Sequence, residues 1–339
     1  MTMEDTPKRK EYTFEEIKKA LLDPDKPFPP AALYFFSDIF PDDLERLAEV
    51  WPRVWTERRR GLLEDMESLA EADTLLYFDH VAEMCFTDAD PVARATAIRL
   101  LWQSQNEDLV PKLLKILKDD PESIVRAAAA TGLGMFVYMG ELEEIGEETF
   151  DNLVDRLIQK HLSTDDELVR RCALESLGYA SHPEIPDLIL RAYNSNYDEW
   201  LQSALIAMGR SCDQRWAESV LTMINHPDNL VRYEAVRAAG ELELKDARDM
   251  LFNLLEEGTD DDDLYFAAIW SLTKIGGDGV RELIEMSLDE TEDPDDIQFL
   301  EEALENLDFT EQVNKFDMMY IDEDQLDDWG DEDDLPFAF

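Results

Sequence analysis

The chain has 339 residues, is 45% hydrophobic, and carries 80 Asp and Glu against 31 Lys and Arg, a net charge of -49. That length and apolar content suffice for a sizeable core, so the chain as a whole is not a disordered one. The charge repels phosphate backbones and anionic lipid surfaces, which sets direct nucleic-acid and membrane binding aside and favours a protein partner with a basic surface.

Residues 1–73 contain helical patterns at 14–22, 31–37 and 42–50 and a longer one after Pro52, separated by "DPDKPFPP" and "FPDD", where prolines set turns or helix starts. The aromatics Tyr34, Phe35, Phe36, Phe40, Trp51 and Trp55 are expected to cover the exposed end of a helical array that begins at residue 74. This stretch reads as an N-terminal helical cap. It holds basic residues at Lys8–Lys10 and Arg58–Arg60, read as solvated or ion-paired, and no apolar core of signal-peptide length. No run of 18 apolar residues is found along the chain, and Cys85, Cys172 and Cys212 form no Cys-x-x-Cys pair. Sparse, unpaired cysteines point to a reducing, cytoplasmic setting.

From residue 74 the chain repeats. Aligned on Arg94, Arg126, Arg170, Leu201, Arg232, Tyr265 and Leu300, seven units follow at intervals of 32, 44, 31, 31, 33 and 35 residues. Three positions after each anchor stands alanine: Ala97, Ala129, Ala173, Ala204, Ala235, Ala268 and Ala303. The fourth and seventh positions are apolar in every unit, which lines one face of a helix. Four residues before the anchor an acidic side chain stands in six units, including Asp90, Asp166 and Asp228, where a carboxylate suits an N-cap.

Between the anchor helices lie second amphipathic stretches such as "LVPKLLKILKDD" and "TFDNLVDRLIQKHL". A helical hairpin of this kind cannot cover its own apolar face, so neighbours must stack. The alanine lets two helices approach closely. Gly134, Gly178, Gly209 and Gly240 are expected to end or bend the anchor helices. The longest interval holds "MFVYMGELEEIGEETF", in which Gly140 and Gly146 suggest an insertion loop or a longer helix pair. Residues 74–309 therefore read as an all-α solenoid of about seven hairpins.

Residues 310–339 read as an acidic tail. From Asp289 onward there are 21 acidic residues and one lysine, yet Phe316, Tyr320, Trp329, Phe337 and Phe339 stand among them. Solubility needs no aromatics, and such mixtures fold on partners, so these five are candidate docking residues, in cis on the solenoid or in trans on another protein.

The anchor pattern Asp-x-x-Leu-Val-Arg-x-x-Ala-x-x-x-Leu-Gly resembles the HEAT repeat, in particular the short subtype of phycobilisome lyase subunits, over residues 74–309. The resemblance implies a ladder in which Arg94, Arg126, Arg170 and Arg232 meet Asp90, Asp166 and Asp228 between neighbouring helices, interrupted at Leu201, Tyr265 and Leu300. It also raises enzymes. Deoxyhypusine hydroxylase binds iron through His-Glu dipeptides, but none of His80, His161, His182 and His226 is followed by Glu. Bilin lyases need a cleft for an anionic tetrapyrrole and related DNA glycosylases a cationic surface, and neither is expected of this charge.

The acidic runs match no calcium loop, and no phosphate loop, nucleophile elbow or dinucleotide fingerprint occurs. No catalytic, cofactor-binding or metal-binding set is expected. The reading is a non-catalytic protein-binding scaffold or adaptor. The alternatives are a lyase-like enzyme or enzyme subunit and an acidic mimic or chaperone of a nucleic-acid-binding protein.

Overall fold

The computed structural model describes residues 12–259 and 261–320. The chain divides into two compact units, residues 1–192 and 193–339.

The first unit opens with α1 (Phe14–Leu22), a 3-10 turn at Pro30–Phe36, α2 (Pro41–Val50), a second 3-10 turn at Trp51–Arg53, and α3 (Thr56–Ala72). Thr13 and Glu16 form a capping box at the start of α1, so two orphan N–H groups are satisfied where the described chain begins. Of the six aromatics expected to cover the end of the array, Phe36 and Trp51 are buried, Tyr34, Phe35 and Trp55 are half-buried, and Phe40 is exposed. Phe35 meets Phe14 and Phe36 at 6.4 and 5.9 Å between ring centroids, and Phe36 is fully buried.

Three hairpins come next in the same unit: α4 (Asp79–Cys85) with α5 (Pro91–Arg99), α6 (Leu109–Asp119) with α7 (Ser123–Glu141), and α8 (Glu147–His161) with α9 (Glu167–Leu177). The anchor helices stack in sequence, α3 on α5, α5 on α7 and α7 on α9, and α10 (Ile185–Tyr193) closes the unit. Each unit's pairing is that of an α-solenoid: a helix packs on its hairpin partner and on its counterpart in the next hairpin.

In the second unit α11 (Asp198–Arg210) leads to α12 (Ala217–Met223) with α13 (Asn229–Glu241), α14 (Arg248–Glu257) with α15 (Asp262–Ile275), and α16 (Val280–Glu290) with α17 (Pro294–Tyr320). Again the anchor helices stack, α11 on α13, α13 on α15 and α15 on α17. The last of these runs past residue 309, so the segment read as tail from 310 begins inside a helix.

The core is built on the repeat. All seven alanines three places after the anchors are fully buried. So is Leu307, and the other residues at its repeat position are buried with it. The invariant alanine keeps stacked anchor helices close, and the larger side chains one turn on fill the layer between them.

Two expectations about glycine change. Gly134 and Gly140 lie inside α7, which continues to Glu141 as one 19-residue helix. The long interval is therefore a longer helix pair, with a short turn before α8. Gly134 is there for proximity: a Cβ on it would stand 2.9 Å from Ser176 Oγ on α9. Ser176 Oγ donates to the Ala130 carbonyl at 2.9 Å, a bond from one anchor helix to the next. In the second unit Gly240 and Ser271 repeat the arrangement, with Ser271 Oγ donating to the Val236 carbonyl at 2.9 Å.

The sequence expectation of no membrane-length apolar stretch also needs qualifying. By length and composition α7 is long and apolar enough to cross a membrane. Its Val125, Leu133, Phe136 and Val137 are buried, and α5, α6, α8 and α9 pack around it. It is a core helix of the stack.

Candidate partner-binding surface

The charged side chains of the anchor helices decide which surfaces remain available. In the first unit a ladder runs along the helix starts. Arg60 on α3 grips Asp90 through two bonds of 2.8 and 2.5 Å. Arg94 on α5 grips Asp120 through two bonds of 2.8 Å, and Arg126 on α7 grips Asp165 at 3.1 and 2.5 Å. Arg94 and Arg126 each also donate to a backbone carbonyl of their own loop, those of Asp88 and Asp120. Paired, bidentate and mostly buried, these guanidiniums tie successive hairpins together.

The ladder differs from the expected one in its acids. Asp166 and Asp228 cap their own helices, accepting from Leu168 N at 3.0 Å and from Leu230 N and Val231 N at 3.0 and 3.1 Å. Asp90 caps α5 through Ala93 N at 2.9 Å and holds Arg60 as well. The acids that meet Arg94 and Arg126 stand one or two residues ahead of the cap, at Asp120 and Asp165, where the turn aims the side chain back at the preceding hairpin. Arg60 was missed as the first member; its signal is the run Arg58–Arg60, 34 residues before Arg94.

All three arginines of that run are engaged by other parts of the chain, and Arg59 is buried. Arg58 donates to the Ala20 and Lys26 carbonyls, and Arg59 meets Asp88, which also accepts from Trp51 Nε1 at 2.7 Å.

Burial acts to raise the Asp165 pKa, but the Arg126 guanidinium and the Lys160 ammonium outweigh it and hold the carboxyl well below the usual carboxylate range. Asp120 is lowered in the same way, burial being outweighed by Arg94 and the Glu122 N–H. At Asp90 the Arg60 hydrogen bond dominates and again lowers the pKa.

Further along, Arg170 and Arg232 make contacts of another kind. Arg170 Nε donates to the His161 carbonyl at 2.9 Å, and His161 Nδ1 lies 3.0 Å from the Arg170 carbonyl. Arg232 donates to Asn229 Oδ1 at 2.6 Å beside a cavity of about 540 Å³ that Asn225, Asn253 and Thr259 also line. At Tyr265, where the anchor arginine is replaced, the hydroxyl bonds Ser287 Oγ at 2.9 Å.

The most distinctive exposed surface lies on α13, α15 and α17. Residues one and five places after the anchors face the same way on adjacent helices, which brings together Tyr233, Phe266 and Trp270, with Phe299 from α17. Phe266 and Phe299 meet edge to face at 4.8 Å, and Trp270 lies 6.0 Å from Phe299. These rings are half-buried and line a cleft of about 280 Å³. Arg237 lies over the Tyr233 ring at 5.5 Å and pairs with Glu234 at 3.3 Å, and Lys274 pairs with Glu241 at 2.8 Å. The cations at the rim are thus matched by acids, and Asp263 adds a further carboxylate.

The expected docking residues lie elsewhere. Trp329, Phe337 and Phe339 fall outside the described residues, and Phe316 and Tyr320 belong to the last turns of α17. Among the described residues no three His, Cys, Asp or Glu side chains gather closely enough to hold a metal ion.

The fold defines an α-solenoid of helical hairpins. The family model for HEAT repeats matches residues 78–159 and 217–308, just over half of the chain, and the chain belongs to the HEAT-repeat family. That match carries no subtype, so the phycobilisome-lyase-like form stays a resemblance. Among curated proteins nothing matches the chain in sequence. Of solved structures, human deoxyhypusine hydroxylase is 15% identical with a TM-score of 0.35, covering 87% of this chain and 96% of its own. YibA of Escherichia coli is 16% identical with a TM-score of 0.33, covering 75% of this chain and 98% of its own.

Proposed function

We propose that this HEAT-repeat chain is a non-catalytic protein-binding scaffold or adaptor of the cytoplasm, and that the cleft on α13, α15 and α17 docks its partner. The observation that carries this reading is the group of four half-buried rings, Tyr233, Phe266, Trp270 and Phe299, on one exposed face. Aromatic side chains left at a surface in contact with one another lose little conformational freedom on binding and dominate interface energies.

The charge supports a basic partner surface. Arg237 and Lys274 are matched by Glu234 and Glu241, so Asp263 and the net charge of -49 set the sign that an approaching protein meets. Such steering raises association rates and weakens with salt.

The test is capture from a lysate of the protein's own host by the full chain, by Trp270→Ala and by Phe299→Ala, across rising salt. The expected result is one protein in stoichiometric amount, reduced by both substitutions. A captured set unaffected by either substitution would refute the assignment of the cleft.

A further inference from the structure

One surface of the first unit carries the opposite charge to the rest of the molecule. Between α6 and α8 lies a groove of about 590 Å³, within the range of ordinary ligand pockets. Its floor is apolar, formed by Pro111, Leu114 and Leu117. Its edges carry Lys115 and Lys118 from α6 and Arg156 and Lys160 from α8. Lys160 is held by Asp165 at 2.8 Å. Among the described residues, Lys115, Lys118 and Arg156 have no carboxylate within ion-pair distance, and Asp119 is the one acid in the lining. In a chain with 80 acidic residues, three exposed cations without acidic partners around an apolar floor are a local reversal of sign.

We propose that this groove docks an acidic peptide segment with apolar anchors, presented by a partner protein. The floor asks for apolar side chains, which a phosphate backbone does not offer, and the rim asks for carboxylates spaced along the same segment. The long-range field of the chain opposes nucleic acid and anionic lipid, whereas a short peptide meets the local cations at close range, inside the screening length of about 8 Å. The groove is independent of the cleft proposed above and would give the scaffold a second partner of opposite charge preference.

The probe is a fluorescein-labelled synthetic peptide of Glu-Asp pairs separated by Leu, Trp and Phe, with no basic residue and an order found in no segment of this chain. Its binding to the full chain is read by anisotropy. The proposal expects saturable binding that Lys115→Glu/Lys118→Glu weakens by roughly tenfold or more. The charge-matched control Lys18→Glu/Lys26→Glu should leave it unchanged. A peptide with every Asp and Glu replaced by Asn and Gln should not bind. Absence of saturable binding, equal weakening in both double variants, or equal binding of the neutral peptide would overturn it. So would groove-dependent binding of an oligodeoxynucleotide or of phosphatidylserine vesicles in place of the peptide, or a shift of oligomeric state in the groove variant without peptide binding.

Discussion

Ser271 occupies the space that a Cβ on Gly240 would need. Its Oγ lies 2.7 Å and its Cα 2.9 Å from that position, and the same Oγ donates to the Val236 carbonyl at 2.9 Å. Stacking in the second unit thus rests on a missing side chain on α13 and a short polar one on α15.

Gly240→Ala should therefore destabilise the protein by about 1–3 kcal/mol, because the clash is with backbone as well as side chain and α15 must shift. Gly61, in the middle of α3, has nothing within 4 Å of its would-be Cβ. Gly61→Ala should stabilise by roughly 0.5–1 kcal/mol through helix propensity. Urea midpoints of the two variants should move in opposite directions.

The Arg94–Asp120 rung, with both side chains 10% exposed, should behave as a buried pair. Removing only the cation, Arg94→Met, leaves Asp120 charged and unmatched and should cost about 3 kcal/mol or more. Adding Asp120→Asn removes that charge and should recover at least about 1 kcal/mol. A double variant as unstable as the sum of its singles would show that the rung is a surface pair.

Acid should weaken the fold in two stages. His161 has its pKa lowered, chiefly by burial, which the hydrogen bond at the Arg170 carbonyl opposes and the charges of Arg170 and Arg191 reinforce. With a folded pKa below the unfolded one, its contribution is present above about pH 6.5 and is lost as pH falls through the folded value. Asp120 and Asp165 are lowered as well, so their contribution is present above about pH 4 and is lost below it.

Denaturation midpoints of wild type and variants, taken as differences, remove the general repulsion of an acidic chain. His161→Gln should remove the part of the pH dependence that sets in below about pH 6.5, and Asp165→Asn the part that sets in below about 4. A His161→Gln profile parallel to wild type through the upper window would contradict this account of His161.

The repeat was legible because its cause is periodic. A residue three, four or seven places along an anchor helix has the same neighbours in each hairpin, so Ala97 to Ala303 announced the stack before any coordinate. What escaped depends on turns and on neighbouring helices. Asp120 and Asp165 stand at different offsets from their anchors, six and five residues ahead of Arg126 and Arg170, because their turns differ. Gly134 looks like a terminator in sequence, and only the approach of Ser176 reveals it as a packing position. The cleft of Tyr233, Phe266, Trp270 and Phe299 was hidden for another reason. Its rings stand some thirty residues apart and become neighbours only when α13, α15 and α17 stack. The tail, where aromatics and acids are adjacent in sequence, drew the eye instead.

The central claim is that the exposed aromatic face on α13, α15 and α17 is a protein interface. It is tested most directly by a photo-crosslinking amino acid placed at Trp270 in the full chain and, as a control, at exposed Tyr77, with irradiation in the protein's own host cells. The account predicts one discrete crosslinked protein from position 270 and none of it from position 77. Equal crosslinking from both positions, or none from position 270, would contradict it.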